Sequence, residues 1–164
     1  MTTPQSTSKS NAHTFVNAKL VQTRLVSQQI DSVPMQRTVE PKPIQFKAET
    51  TAEFTVALDD PNTPQALLIE VQYKVVLKLA ESDQEVASYK GKHAGEFRVI
   101  DYAGFQEWIN VPHMALVPHF ATMHHTALKH AQHCLLDMGL GAIVLPVLSD
   151  SDLAPLTPAN QIAQ

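Results

Sequence analysis

The side chains best suited to chemistry gather in one stretch of the chain. His124, His125, His130, His133 and Cys134 lie close together, and Asp137 follows them. His130, His133 and Cys134 sit three and four residues apart, on neighbouring positions of one helix face. Imidazole and thiolate are side chains that zinc takes. No paired cysteine accompanies them and no nearby motif supplies the remaining ligands, so a polar helix face is the preferred reading and no metal site is assigned. His130 precedes Cys134 by one helical turn, a spacing that can activate a thiol. Burial in mid-helix is the better account of a lone cysteine. No serine sits in a nucleophile elbow, and no Gly-rich phosphate loop occurs. The acids Asp59 and Asp60, and Asp150 and Asp152, fall in turn-like and tail-like sequence, where solvated turn chemistry explains them. No catalytic residue and no cofactor is therefore expected, and the chain does not read as an enzyme.

Composition narrows the choice further. The chain has 164 residues, one cysteine, eight histidines and a net charge of −4. Its length suits one domain with a real core. A single cysteine forms no internal disulfide, so a reducing compartment is expected. No basic patch is dense enough to hold phosphates, which argues against a nucleic-acid partner. No apolar run is long enough to cross a membrane, and the first residues lack the apolar core of a signal peptide. Residues 1–44 carry +3, residues 45–100 carry −3, and residues 101–164 carry −4 together with six of the histidines.

The elements that must position these side chains are legible from periodicity. Residues 1–13 read as a disordered tail, residues 14–150 as one domain, and residues 151–164 as a loosely ordered tail. Strict alternation from 46 to 58, from 67 to 79 and from 87 to 99 predicts three half-buried antiparallel strands joined by short turns. Residues 16–30 predict a fourth strand with less regular alternation. Pro34, Pro41 and Pro43 bracket a crossing link to the next strand rather than a tight hairpin. After residue 100 the period changes. Residues 103–110 predict a short helix, and residues 112–138 one long helix with its stripe at Val117, Phe120, His124, Leu128, Ala131, Leu135 and Met138. Pro118 lies inside, so a kinked or separate first turn is expected. Gly139 is placed to cap the end. The architecture is α+β: a four-stranded antiparallel sheet followed by a short and a long helix.

That order resembles the SecB family of export chaperones, in three places above all. Gly95-Glu96-Phe97-Arg98-Val99 resembles the end of the family's fourth strand. Leu116-Val117-Pro118-His119-Phe120-Ala121 is similar to the start of its long helix. Residues 139–149, with Leu145-Pro146-Val147-Leu148, resemble the stretch where that helix stops. The resemblance implies an ATP-independent holdase in the cytoplasm, assembled as a tetramer, a dimer of dimers. Such a protein binds unfolded polypeptides in apolar grooves during protein export and translocation. Family members hand clients to the SecA motor or guard an antitoxin. Residues 27–33 are largely uncharged where the family carries the acids that dock SecA, so the chain resembles a divergent member.

The resemblance also implies roles for residues. Phe46, Phe54, Val56, Phe97, Phe105, Trp108, Ile109 and Met114 fall in the segments that bind clients. Aromatic rings and methionine offer large, adaptable apolar contact; the plainer reading makes them ordinary core residues. Val117, Phe120, His124, Leu128, Ala131 and Leu135 would form the oligomer interface, which would weaken as histidines charge. A free sheet edge offers a second route, since it can add a strand from any extended peptide. The rival reading is a small α+β domain with a ligand or metal pocket lined by the face of residues 67–79.

Overall fold

The computed structural model describes residues 15–33, 44–60, 62–101, 114–140 and 143–148. The expected tails at 1–13 and 151–164, the short helix at 103–110 with Phe105, Trp108 and Ile109, and the side chain of Met114 lie outside the described residues.

Four strands form one antiparallel sheet: β1 (Asn17–Ser32), β2 (Phe46–Leu58), β3 (Ala66–Leu79) and β4 (Glu85–Asp101). Their spatial order is β1-β4-β3-β2, so the first two strands occupy opposite edges. The expected crossing link with Pro34, Pro41 and Pro43 lies outside the described residues. Among the described residues one α-helix, α1 (Val117–Asp137), follows a one-turn 3-10 segment at Met114–Leu116 and packs over β3 and β4.

Alternation decides which face the helix covers. Leu67, Ile69, Val71, Tyr73, Val75 and Leu77 are fully buried on β3. Phe46, Ala48, Ala52, Phe54, Val56 and Leu58 flank them from β2, half-buried. Burial of each such large side chain is worth roughly 1.5–3 kcal/mol. The opposite face is polar, and its charges pair across strands. Lys78 Nζ lies 2.7 Å from Glu49, and Lys92 Nζ 2.8 Å from Glu70. On the helix side, a Cβ added at Gly95 would collide with the Met123 sulfur, so this glycine permits the close approach of α1.

The β2–β3 turn is knit by its two acids. Asp59 Oδ1 accepts the amides of Asp60, Gln65 and Ala66, each at 3.0 Å. Asp60 accepts the Asn62 amide at 2.8 Å and the Thr63 hydroxyl at 3.0 Å. Both carboxyls are held below their ordinary range, Asp59 chiefly by the Ala66 amide and Asp60 by that of Asn62.

The start of the helix differs from expectation. It begins at Val117 rather than at 112, which places Pro118 in the first turn. No amide is needed there, so proline costs no hydrogen bond. At the far end Gly139 adopts φ 75°, and its amide donates to Leu136 O while Leu140 N donates to Leu135 O. Those two bonds are the Schellman arrangement, in which glycine occupies the left-handed position just past the helix.

Candidate functional site

The helix stripe is taken up inside the chain. Val117, Phe120, His124, Leu128, Ala131 and Leu135, expected at an interface between copies, are 7% exposed or less in the isolated protomer. They face the chain's own sheet, because the apolar face of β3 and β4 needs a cover and α1 is the element that supplies it. Side chains buried to that degree have no surface left to offer a second copy. Phe97, expected to meet clients, is buried in the same layer. It is 2% exposed, under α1 with its ring 5.1 Å from that of His119. Phe54 is half-buried with its ring 5.0 Å from Phe120, and Phe46 and Val56 are half-buried beside the core. The β2 side chains expected to meet clients thus serve first as the rim of the core.

A row of exposed apolar side chains lies on β1. Val21, Leu25, Val26 and Ile30 are 37–52% exposed. Among the described residues β1 pairs only with β4, so its other edge presents backbone groups without strand partners. The alternation of β1 was hard to read because its register shifts between Leu20 and Gln22 and again between Leu25 and Ser27. Val21 and Val26 are the extra residues, and each bulge moves the side-chain pattern by one position. The helix-facing set becomes Ala18, Leu20, Thr23, Leu25, Gln28 and Ile30, opposite the helix-facing residues of β4. No simple even–odd count along 16–30 could find that set.

Between this strand and α1 lies an open groove of about 520 Å3. Thr23, Arg24 and Leu25 line it from β1, and His93 from β4. His125, Thr126, Lys129, His130 and His133 line it from the helix. The two elements run side by side in the same direction. His119 Nε2 meets Ala18 O at 3.2 Å near their N-terminal ends, and His130 Nε2 meets Gln28 Oε1 at 2.9 Å further on. Sequence reading singled out the histidines but missed Thr23, Arg24 and Lys129. The bulged strand β1 is what sets Thr23 beside Lys129 of the helix.

The histidines fall into two environments. His93 is buried, and its Nε2 is hydrogen-bonded to the Tyr89 hydroxyl at 3.0 Å. Burial, helped by the neighbouring His130, pushes the His93 pKa down to about 4, so the ring is neutral. Burial also lowers His119 and His124. His124 rests against the Tyr73 ring, and its Nε2 has no hydrogen-bond partner. By contrast His125 and His133 are exposed.

Neither metal nor thiol chemistry gains support from this geometry. Among the described residues no three His, Cys, Asp or Glu groups are placed to hold a metal ion. Cys134 is half-buried, its thiol 3.9 Å from Gln28 Oε1, and burial pushes its pKa up. An activated cysteine needs the opposite shift. Among the described residues no helix is long and apolar enough to cross a membrane.

No family model matches the chain, and the curated proteins yield no significant match. Its fold is nonetheless similar to a solved structure, that of the SecB-like chaperone Rv1957 of Mycobacterium tuberculosis, in complex with a ChAD peptide from the HigA1 antitoxin Rv1956. The TM-score is 0.51 at 14% sequence identity, over 80% of this chain and 88% of that one. The four-stranded antiparallel sheet covered by a long helix is thus a SecB-like fold, carried by a sequence only 14% identical to that chaperone.

Proposed function

We propose that this protein is an ATP-independent holdase that binds extended, unfolded polypeptide segments. The observation that carries the reading is the free edge of β1, where Val21, Leu25, Val26 and Ile30 stay exposed beside unpartnered backbone groups. A long apolar edge is a liability that proteins ordinarily cover or charge. Kept open, it can take up an extended chain through main-chain bonds, with little regard to that chain's sequence. The SecB-like fold supports the reading by analogy of architecture.

Within it, the protein works in the cytoplasm as a homotetramer, a dimer of dimers. Contacts between copies would fall on surfaces that the protomer leaves open, such as Leu136, Val144 and Val147, which are 51–88% exposed beyond the helix stripe. Several edges on one assembly would add avidity. General holding of precursors during protein export and translocation ranks first. A dedicated partner such as an antitoxin is the second reading, favoured by the peptide that the structural neighbour holds. Transfer to the SecA motor ranks behind both, because Asp31 is the only acid on β1.

Light scattering with a permanently unfolded protein, without ATP, tests the proposal. A multimer that co-elutes with the unfolded chain supports it. A monomer indifferent to that chain would sink it and turn attention to a pocket for a small ligand.

A further inference from the structure

We infer that the groove between β1 and α1 recognises an acidic extended peptide, whose alternate carboxylates meet His125, Lys129 and His133 in turn. The inference rests on the holdase reading and gives it a chemical preference. Those three residues are exposed and spaced by four along the helix, so they stand about 6 Å apart on one stripe. A strand added to the free edge of β1 would place every second side chain on the helix side, about 6.7 Å apart. The two repeats nearly match, and β1 and α1 run side by side over this stretch.

Charge selects the occupant. On the helix side the groove presents Lys129 and imidazoles together with the hydroxyls of Thr23 and Thr126, and among the described residues no carboxylate lines it. Asp137 stands one turn past His133, with 3.8 Å between its carboxylate and the ring, and marks the end of the stripe. A second copy's β1 is a poor occupant. Its helix-facing side chains are Thr23, Leu25, Gln28 and Ile30, which bring no negative charge to the cations. A nucleic acid would supply charge but has no amide backbone to pair with the strand edge.

Fluorescence anisotropy with a labelled synthetic peptide that alternates glutamate with threonine tests the inference, beside the same peptide carrying glutamine for glutamate. The acidic peptide is expected to bind about threefold to tenfold more tightly, from an exposed ion pair at Lys129 and hydrogen bonds to the two imidazoles. Added salt should erase most of that advantage. Lys129→Ala should weaken the acidic peptide about threefold and leave the glutamine peptide unchanged. Lys74→Ala, on the opposite face of the sheet, should change neither. Equal affinity for the two peptides, with an unfolded client still held, would overturn the charge preference and leave the holdase reading standing. Failure to bind any peptide or client would overturn both. Stronger competition by a single-stranded oligonucleotide than by the acidic peptide would also overturn the assignment, as would crosslinking of β1 to β1 between copies that the peptide does not prevent.

Discussion

His93 and His130 meet edge to face under the groove, their ring centroids 5.2 Å apart and their planes at 73°. One comes from β4 and the other from α1, so the pair spans the seam between sheet and helix. Each has its own partner, the Tyr89 hydroxyl for His93 and the Gln28 carbonyl for His130. The contact tolerates one charge poorly and two worse, because little water reaches His93.

That seam should weaken in acid. His93, His119 and His124 all have pKa values lowered by burial in the folded chain. Below about pH 6.5 the unfolded chain binds protons that the folded chain refuses, so stability falls as pH falls. The contribution is fully present above 6.5, and for His93 it is lost as pH descends to about 4. For His93 alone the loss is worth roughly 3 kcal/mol at most. Urea midpoints measured from pH 7.5 to 4.5 should drop steadily across this window. A flat profile would contradict the burial of these rings.

His124→Phe should flatten part of that profile. The substitution removes a buried nitrogen without a partner and keeps a ring against Tyr73. At neutral pH the variant should match the parent or gain up to about 1 kcal/mol. A loss beyond about 2 kcal/mol would mean that this nitrogen is paired in solution.

Leu128→Ala separates an intramolecular stripe from an interface. Leu128 is 5% exposed within the protomer. The cavity should cost about 2–5 kcal/mol, with a midpoint independent of protein concentration and an unchanged assembly mass. A concentration-dependent loss, or dissociation without unfolding, would return this face to the oligomer.

Gly95→Ala tests the approach of helix to sheet. A new methyl there meets the sulfur of Met123, which is itself fully buried. The expected cost is about 1–3 kcal/mol, or several degrees in Tm. A neutral substitution would show that Met123 has room to turn aside.

The β1 edge can be silenced without harming the core. Val26→Lys adds charge at a 47% exposed bulge position. Stability should change by less than about 0.5 kcal/mol, while binding of an apolar dye and of an unfolded client falls. Unchanged client binding would place the holding surface elsewhere.

These outcomes bear on how much a single sequence can convey. The faces of β2 and β3 could be read residue by residue, because Phe46 to Leu58 pairs with Leu67 to Leu79 without a slip. The stripe of α1 was equally plain. Its partner was not, since a period of 3.6 marks Phe120 and Leu135 as buried and leaves open whether sheet or second copy buries them. Phe97 looked available for the same reason. The groove was least legible of all, because Thr23 and Lys129 come together only after two bulges have turned the strand.

Those bulges also set what length changes each strand can absorb. β1 carries two spare residues, so a one-residue deletion near Val21 or Val26 can be taken up by straightening the local ladder, with Leu25 and Ile30 kept inward. β2 and β3 have no slack between them. The same deletion there would turn every later side chain over and put Glu70 or Lys74 into the core. The edge that is free to meet other chains is therefore also free to drift in length over generations, while the two strands at the other side of the sheet are locked in count as well as in kind.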